Sequence, residues 1–383
     1  MTKNQFHHFI PRFILRNFIE EDGYKKTFVW KESEKAFSVM KKSHKNDNPR
    51  IKSYDFQNQQ SGLPRVKKMY GIQNMYKDIT SDYCMKFEEL LGKLECSAAI
   101  FIQKIVSDTQ EISLSRTQLE SLKKFLVIMT YRGEGRRMQY TNNMFNLTTK
   151  HSIQRHMDFN NILSIQDVWF ENLKWLLNTE THAIFIESLN VTTMDDLKTY
   201  KGPIHVTELS DFGHLITNYV CIWQAQEGSE FILTDNCFGS YEGAGPIVFH
   251  RFYVMSPKYA VVLVHREYMW DDMDKLPVRK SWFEDFHATP DVVYTKEINE
   301  PTDAMPTDIF KYKRIVVPKE KVWLVNSIFL DEGNKNMTYK SNASMYKSLA
   351  LYDKLKATEF TNKYDYSVLK RKLFSEMNRT HDT

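Results

Sequence analysis

Across residues 82–106 the apolar side chains Phe87, Leu90, Leu91, Leu94, Ala98, Phe101, Ile102 and Ile105 recur three or four positions apart, and beyond residue 181 that rhythm gives way to short β-branched and aromatic runs. A period near 3.6 lines one face of a helix, whereas the shorter runs suit strands. Helices gathered first and strands afterwards define an α+β chain rather than an alternating α/β one.

A second long helix is expected to start at Ser115, because Ser115 and Gln118 form a capping-box pair ahead of Leu119, Leu122, Phe125, Leu126 and Met129. Helical spacing continues, with interruptions, through residues 162–177. Six strands are expected, at 182–188, 204–208, 219–225, 230–234, 247–255 and 259–265, and their short connections favour an antiparallel meander under the long amphipathic helices. Residues 27–31 and 36–40 read as a hairpin, 41–66 as an exposed loop and 271–318 as irregular, with helix returning from Val322. The organisation is one α+β domain over 1–383: a basic amino-terminal region (1–78), a helical layer (79–180), a sheet (181–270) and an irregular segment with carboxy-terminal helices (271–383). A hydrophobic fraction of 42% supplies enough material for a sizeable core.

The net charge of +4 is unevenly spread: the first 70 residues hold 15 Lys and Arg against 7 Asp and Glu, leaving the rest of the chain net acidic. Lys41, Lys42, Lys45, Arg65, Lys67 and Lys68, interleaved with Tyr54, Phe56 and Tyr70, form a candidate phosphate-backbone surface. A solvated basic loop explains the same run without a partner. Cys84, Cys96, Cys221 and Cys237 show neither CxxC spacing nor a disulfide framework, which points to reduced thiols in the cytoplasm. No apolar stretch is long enough to span a bilayer, so no membrane partner is expected. Oligomeric state is not written in the sequence.

The segment from His7 to Phe18 sets imidazoles, arginines and an amide among core residues, and such groups are costly to bury unless partnered. Pro11 suits the first turn of a short helix over residues 11–18, with Phe13, Ile14 and Phe18 on one face and Arg12 and Arg16 on another. His8 precedes that helix start, where the positive end of the dipole favours a neutral imidazole able to act as base or metal ligand. His7, Arg12 and Asn17 are candidate substrate contacts beside it.

His7-His8-Phe9-Ile10-Pro11-Arg12-Phe13 with Leu15-Arg16-Asn17-Phe18, then residues 125–132 (FLVIMTYR), 231–236 (FILTDN) and Met255-Ser256-Pro257 before the run 259–264, occur in the order of an uncharacterised family, the domain of unknown function numbered 4238. The chain resembles that family over most of its length. The resemblance implies candidate positions and no activity. Cys237-Phe238 stands where the family pattern has proline and a small apolar residue.

Three of those positions attract chemistry. Arg132, followed by Gly133 and Gly135, cannot neutralise itself on burial, so it needs a carboxylate or a bound anion, and the two glycines imply a kink or a close approach. Asp235 and Asn236 end a strand before a glycine-containing loop, where they either hold a ligand or cap the turn. The working expectation is that His8 (base or metal ligand), Asp235 (orienting carboxylate or ligand) and Arg132 (anion-neutralising) converge, with Asn236 as a further contact. A divalent metal is compatible with these donors, and nucleic acid or a small anion with the charges. Two functions fit: a phosphoester-directed enzyme, nucleic-acid cleavage included, or a non-catalytic binding or scaffolding module in which the same residues are a structural polar network.

Overall fold

Ser115 opens the helix Arg116–Arg132 by reciprocal capping: its hydroxyl accepts the Gln118 N–H at 3.3 Å, and Gln118 Oε1 accepts the Ser115 N–H at 3.0 Å. Two amides of the helix entry are thereby satisfied. The computed structural model describes residues 5–19, 28–31, 36–39, 49–76, 81–107, 111–191, 193–244, 248–269, 281–296, 304–362 and 364–379. Near the end of this helix Phe125, Leu126, Val127, Ile128 and Met129 are all buried, so it is enclosed around its circumference. The long amphipathic helix Ser81–Val106 and the helices Ile165–Asn178 and Val206–Thr217 pack against it.

The main sheet has five strands in the order Tyr241–Ala244, Val248–Val254, Tyr259–Val264, Tyr219–Ala225 and Arg314–Val317. The first four are antiparallel, as expected. The fifth runs parallel to Tyr219–Ala225, with Arg314 opposite Ile222 and Val317 opposite Ala225, so the sheet is not a pure meander. It comes from the region read as irregular, because a parallel partner needs a long crossover rather than a hairpin turn. Trp223, Phe252 and Phe283 pack with ring centroids 5.3 to 5.7 Å apart, and Phe329 on the helix Lys319–Glu332 stands 6.0 Å from Phe252. These aromatics hold that helix on the sheet.

Three expected strands differ. Residues 182–188 lie in the helix Thr181–Ser188 and 204–208 reach into the start of Val206–Thr217. The two helices pack on each other with Ile184, Leu209, Phe212 and Leu215 all buried, and that packing outweighs the β preference of their residues. Of residues 230–234 only Leu233–Thr234 is strand, in a separate four-stranded sheet with Gln60–Gly62, Ser53–Asp55 and Asn336–Thr338. Part of the expected loop 41–66 is therefore a hairpin: Tyr54 pairs with Met337 and is buried, anchoring a stretch whose polarity hid it. The hairpin Phe28–Lys31 with Ala36–Val39 is present as read.

The strand Phe6–His8 pairs with Gly71–Gln73, then Pro11 leads into the helix Arg12–Leu15 and the tight turn Arg16–Phe18. Ile14, Leu15 and Phe18 are fully buried, and Asn17 Nδ2 donates to the Met255 carbonyl at 2.7 Å. The central helix ends at Gly133 and restarts as Glu134–Thr141. The close approach expected there is real, since a Cβ on Gly135 would come within 2.9 Å of Asn236 Oδ1. Gly239, at φ +87°, sits where a Cβ would meet Thr130 Oγ1 at 2.4 Å. Gly239→Ala is expected to destabilise the protein by more than about 1 kcal/mol in urea unfolding, through both its backbone angle and that contact.

Candidate functional site

The break at Gly133, the loop after Asp235 and the edge of the main sheet leave a cleft of about 310 Å³. Phe9, Ile10, Met129 and Thr130 form its apolar wall, and Asp211, Arg251 and Glu332 bring charge to it from three separate elements. Arg251 lies on the strand Val248–Val254, its side chain 11% exposed, its guanidinium carbon over the rings of Tyr241 and Phe249 at 5.5 and 5.4 Å. Its buried Nε has no hydrogen-bond acceptor, and Asp211 Oδ1 stands 3.6 Å from Nη2, too far for a hydrogen bond. The Tyr253 hydroxyl adjoins the same cation, and Thr130 Oγ1 stands 3.1 Å from it. Burial disfavours the Arg251 cation, but Asp211 at ion-pair distance and the surrounding tyrosines raise its pKa, so what the protein leaves open is the Nε–H rather than the whole charge.

Glu332, the last residue of its helix, accepts the Ser240 hydroxyl and is partly exposed to the cleft. Burial pushes its carboxyl up to about 7, with the charge of Asp331 adding to the rise while Ser240 and Arg251 oppose it. A carboxyl poised there can give or take a proton near neutral pH.

Asp235 is 4% exposed and lines the cleft floor. Its Oδ1 accepts backbone N–H groups from Asn334 and Lys335 at 3.1 Å and from Asn336 at 3.3 Å, while its buried Oδ2 has no partner. Burial raises its pKa and the three amides pull it back. Asn236 Nδ2 donates to the Glu332 carbonyl at 2.8 Å, satisfying an end carbonyl of that helix.

Arg136, on the cleft wall, is fixed from behind. Its guanidinium pairs with Glu208 and donates to Gln139 Oε1 at 2.8 Å. Glu208 also accepts the Tyr140 hydroxyl at 2.5 Å and faces His205 Nδ1 at 3.1 Å, and His205 Nε2 stands 3.1 Å from Ser152 Oγ. Burial alone would raise the Glu208 carboxyl, but Arg136, His205 and Tyr140 hold it at about 2. The charge of Arg136 is therefore already cancelled.

The sequence candidates fall into separate settings. Asp235 and Asn236 line the cleft; His8 and Arg132 do not, although their neighbours Phe9, Ile10 and Tyr131 do. Arg132, 3% exposed, gives Nη1 to Glu95 Oε1 at 2.6 Å and Nε to the Tyr76 hydroxyl at 3.0 Å. His7 joins the same cluster, its Nδ1 3.1 Å from Glu88 Oε1 and its ring edge-on to Tyr76. His8 donates Nδ1–H to the Met69 carbonyl at 2.9 Å. Burial lowers its pKa to about 4, with the charges of Arg12 and Arg132 adding to the fall, so it is neutral mainly through desolvation rather than the helix dipole. None of the hydrogen bonds among the described residues joins His8, Arg132 and Asp235 to one another.

Arg12 is exposed and Asn17 is spent on Met255. Arg65, Lys67 and Lys68 are exposed, whereas Lys41, Lys42 and Lys45 lie outside the described residues. No three His, Cys, Asp or Glu side chains among the described residues come together as a metal's ligand set. Sequence reading missed Glu332, Arg251, Asp211 and Ser240. Only Arg251 carried a signal, as a cation inside an otherwise strand-forming run.

A mixed α+β protein with a charged cleft between its helical layer and its sheet is thus the class that the coordinates define. The chain belongs to the DUF4238 family, described as a protein of unknown function, whose model matches residues 7–343. No curated protein and no solved structure matches it. No described helix is long and apolar enough to cross a membrane.

Glu208→Gln should cost about 3 kcal/mol, since it leaves Arg136 enclosed without its counter-charge. Because the folded-state pKa of Glu208 lies below its ordinary value of 4.5, the stability it contributes is present above that pH and is lost as pH falls toward about 2. The difference in Tm between wild type and Glu208→Gln should therefore shrink over that window in a thermal-melt series.

Proposed function

We propose that the chain is an acid–base enzyme acting on a small phosphoester, with Arg251 holding the anionic group and Glu332 transferring the proton. The observation that carries this reading is the sharing of one cleft by a guanidinium with an unpartnered Nε–H and a carboxyl whose pKa is about 7. A guanidinium matches phosphate oxygens with parallel N–H donors. Water attacks phosphorus as the ester P–O bond breaks, and the leaving alkoxide takes the proton of the Glu332 carboxylic acid. The proton released by the attacking water restores that acid; a carboxyl half-protonated near pH 7 can do this at physiological pH. Ser240, on Glu332 Oε2, orients that carboxyl. The cleft volume, about 310 Å³, suits a small molecule.

An oligonucleotide as the phosphoester is a narrower form of the same reading, supported by the exposed Arg65, Lys67 and Lys68. A cytoplasmic setting belongs with it, on the spacing of the four cysteines. For Arg132 and His7 the alternative of a structural polar network is favoured, because Glu95, Glu88, the Tyr76 hydroxyl and its ring answer them from within the protein.

Hydrolysis of an alkyl phosphate, followed as released inorganic phosphate from pH 5 to 9 with and without added divalent ions, tests the reading. Turnover should be steady below about pH 7 and fall above it as Glu332 loses its proton. Glu332→Gln should lower kcat roughly a hundredfold or more, and Arg251→Gln should chiefly raise KM. Undetectable hydrolysis by a folded wild-type protein, or a Glu332→Gln variant with unchanged kcat and pH profile, overturns it.

A further inference from the structure

We propose that the ligand of this cleft carries a cationic hydrogen-bond donor, an ammonium group, alongside its anionic group; this rests on the reading of the cleft as a phosphoester site and names the substrate class more narrowly. The charges lining the cleft are Arg136 and Arg251 against Asp211, Asp235 and Glu332. Arg136 is paired from behind with Glu208, whereas the carboxylate nearest Arg251, Asp211, stands at 3.6 Å, which makes Arg251 the less tightly paired of the two cations. Asp211 accepts the Tyr131 hydroxyl on Oδ2 at 2.8 Å and stands with Oδ1 at 3.6 Å from Arg251, an ion-pair distance without a hydrogen bond. Asp235 meets only neutral backbone amides on Oδ1. Its second oxygen is buried without any donor, in a side chain more than nine-tenths enclosed.

A buried carboxylate oxygen left without a donor costs free energy that a correctly placed N–H or ammonium recovers. A ligand that is only anionic would satisfy Arg251 and meet Asp235 and Asp211 as repulsive neighbours. One that is only cationic would be repelled by Arg251. A molecule with both charges a few bonds apart answers both walls, and it discriminates against either half alone because each half leaves a group of the cleft unpaired. Phosphomonoesters of amino alcohols have this form.

Isothermal titration of the full chain at pH 7 with O-phosphoethanolamine, ethyl phosphate and ethylamine separates the contributions. The three probes share a two-carbon skeleton and differ only in which charged groups they carry. Phosphoethanolamine is expected to bind about tenfold tighter than ethyl phosphate, and ethylamine not measurably. Asp235→Asn should abolish that preference while ethyl phosphate affinity holds or rises. Should the Asp235 variant fail to fold, Asp211→Asn, on a side chain about one-third exposed, should reduce the same preference. Arg251→Gln should weaken both phosphate-bearing probes.

Equal affinity of phosphoethanolamine and ethyl phosphate for wild type overturns this inference and leaves the phosphoester reading standing. A preference that survives in both aspartate variants overturns it as well. Binding of neither phosphate-bearing probe removes the phosphoester reading and this inference with it.

Discussion

One carboxylate oxygen fastens the halves of this molecule that make the cleft. Oδ1 of Asp235 collects the backbone N–H groups of Asn334, Lys335 and Asn336, drawing the segment that follows the helix Lys319–Glu332 onto the end of the short strand Leu233–Thr234. The same approach sets Met337 opposite Thr234 and lets Asn236 donate to the Glu332 carbonyl. Glu332 is thereby delivered beside Ser240, facing Arg251 across a gap bounded by the broken end of the central helix. Gly135 and Gly239 allow this approach, since a side chain at either would meet Asn236 or Thr130.

The molecule treats its arginines in two ways, and the difference separates fold from site. Arg132 and Arg136 are each tied to a carboxylate, Glu95 and Glu208, so their charges are cancelled where they are buried. Arg251 has its carboxylate, Asp211, only at 3.6 Å; a buried Nε with no acceptor it shares with Arg136, so the distance to the carboxylate is what sets it apart. Enclosing a guanidinium with one N–H unpartnered costs free energy, which is why the proposed function turns on this residue. Glu332 shows the complementary pattern, its carboxyl kept part-protonated by burial against one hydroxyl.

Much of the architecture was legible because it is encoded locally. Ser115 with Gln118 announces a helix start through side-chain and backbone partners three residues apart, and the spacing from Phe87 to Ile105 announces a buried face. The strands around Tyr219, Val248 and Tyr259 were legible for the same reason. The helix Thr181–Ser188 was not, since its residues favour strand in isolation and become helical by packing on Val206–Thr217. In the site, Asp235 and Asn236 were found by their place at a strand end before a glycine loop. Glu332, Asp211 and Ser240 carry no local mark, because the surroundings of each are set by a neighbour roughly a hundred residues away or by the depth at which it lies.

By itself the amino-acid sequence determined the mixed α+β class, the capped start of the central helix, the break at Gly133 and family membership, all of which depend on neighbours in the chain. Only tertiary structure decided which polar groups are partnered from inside the protein and which are left without a partner. Nothing along the chain tells how tightly Arg132 and Arg251 are paired; in space one donates to Glu95 at 2.6 Å and the other has Asp211 at 3.6 Å, beyond hydrogen-bond reach. Charge compensation is a matter of distance in space, and the spacing of letters along a chain does not contain it.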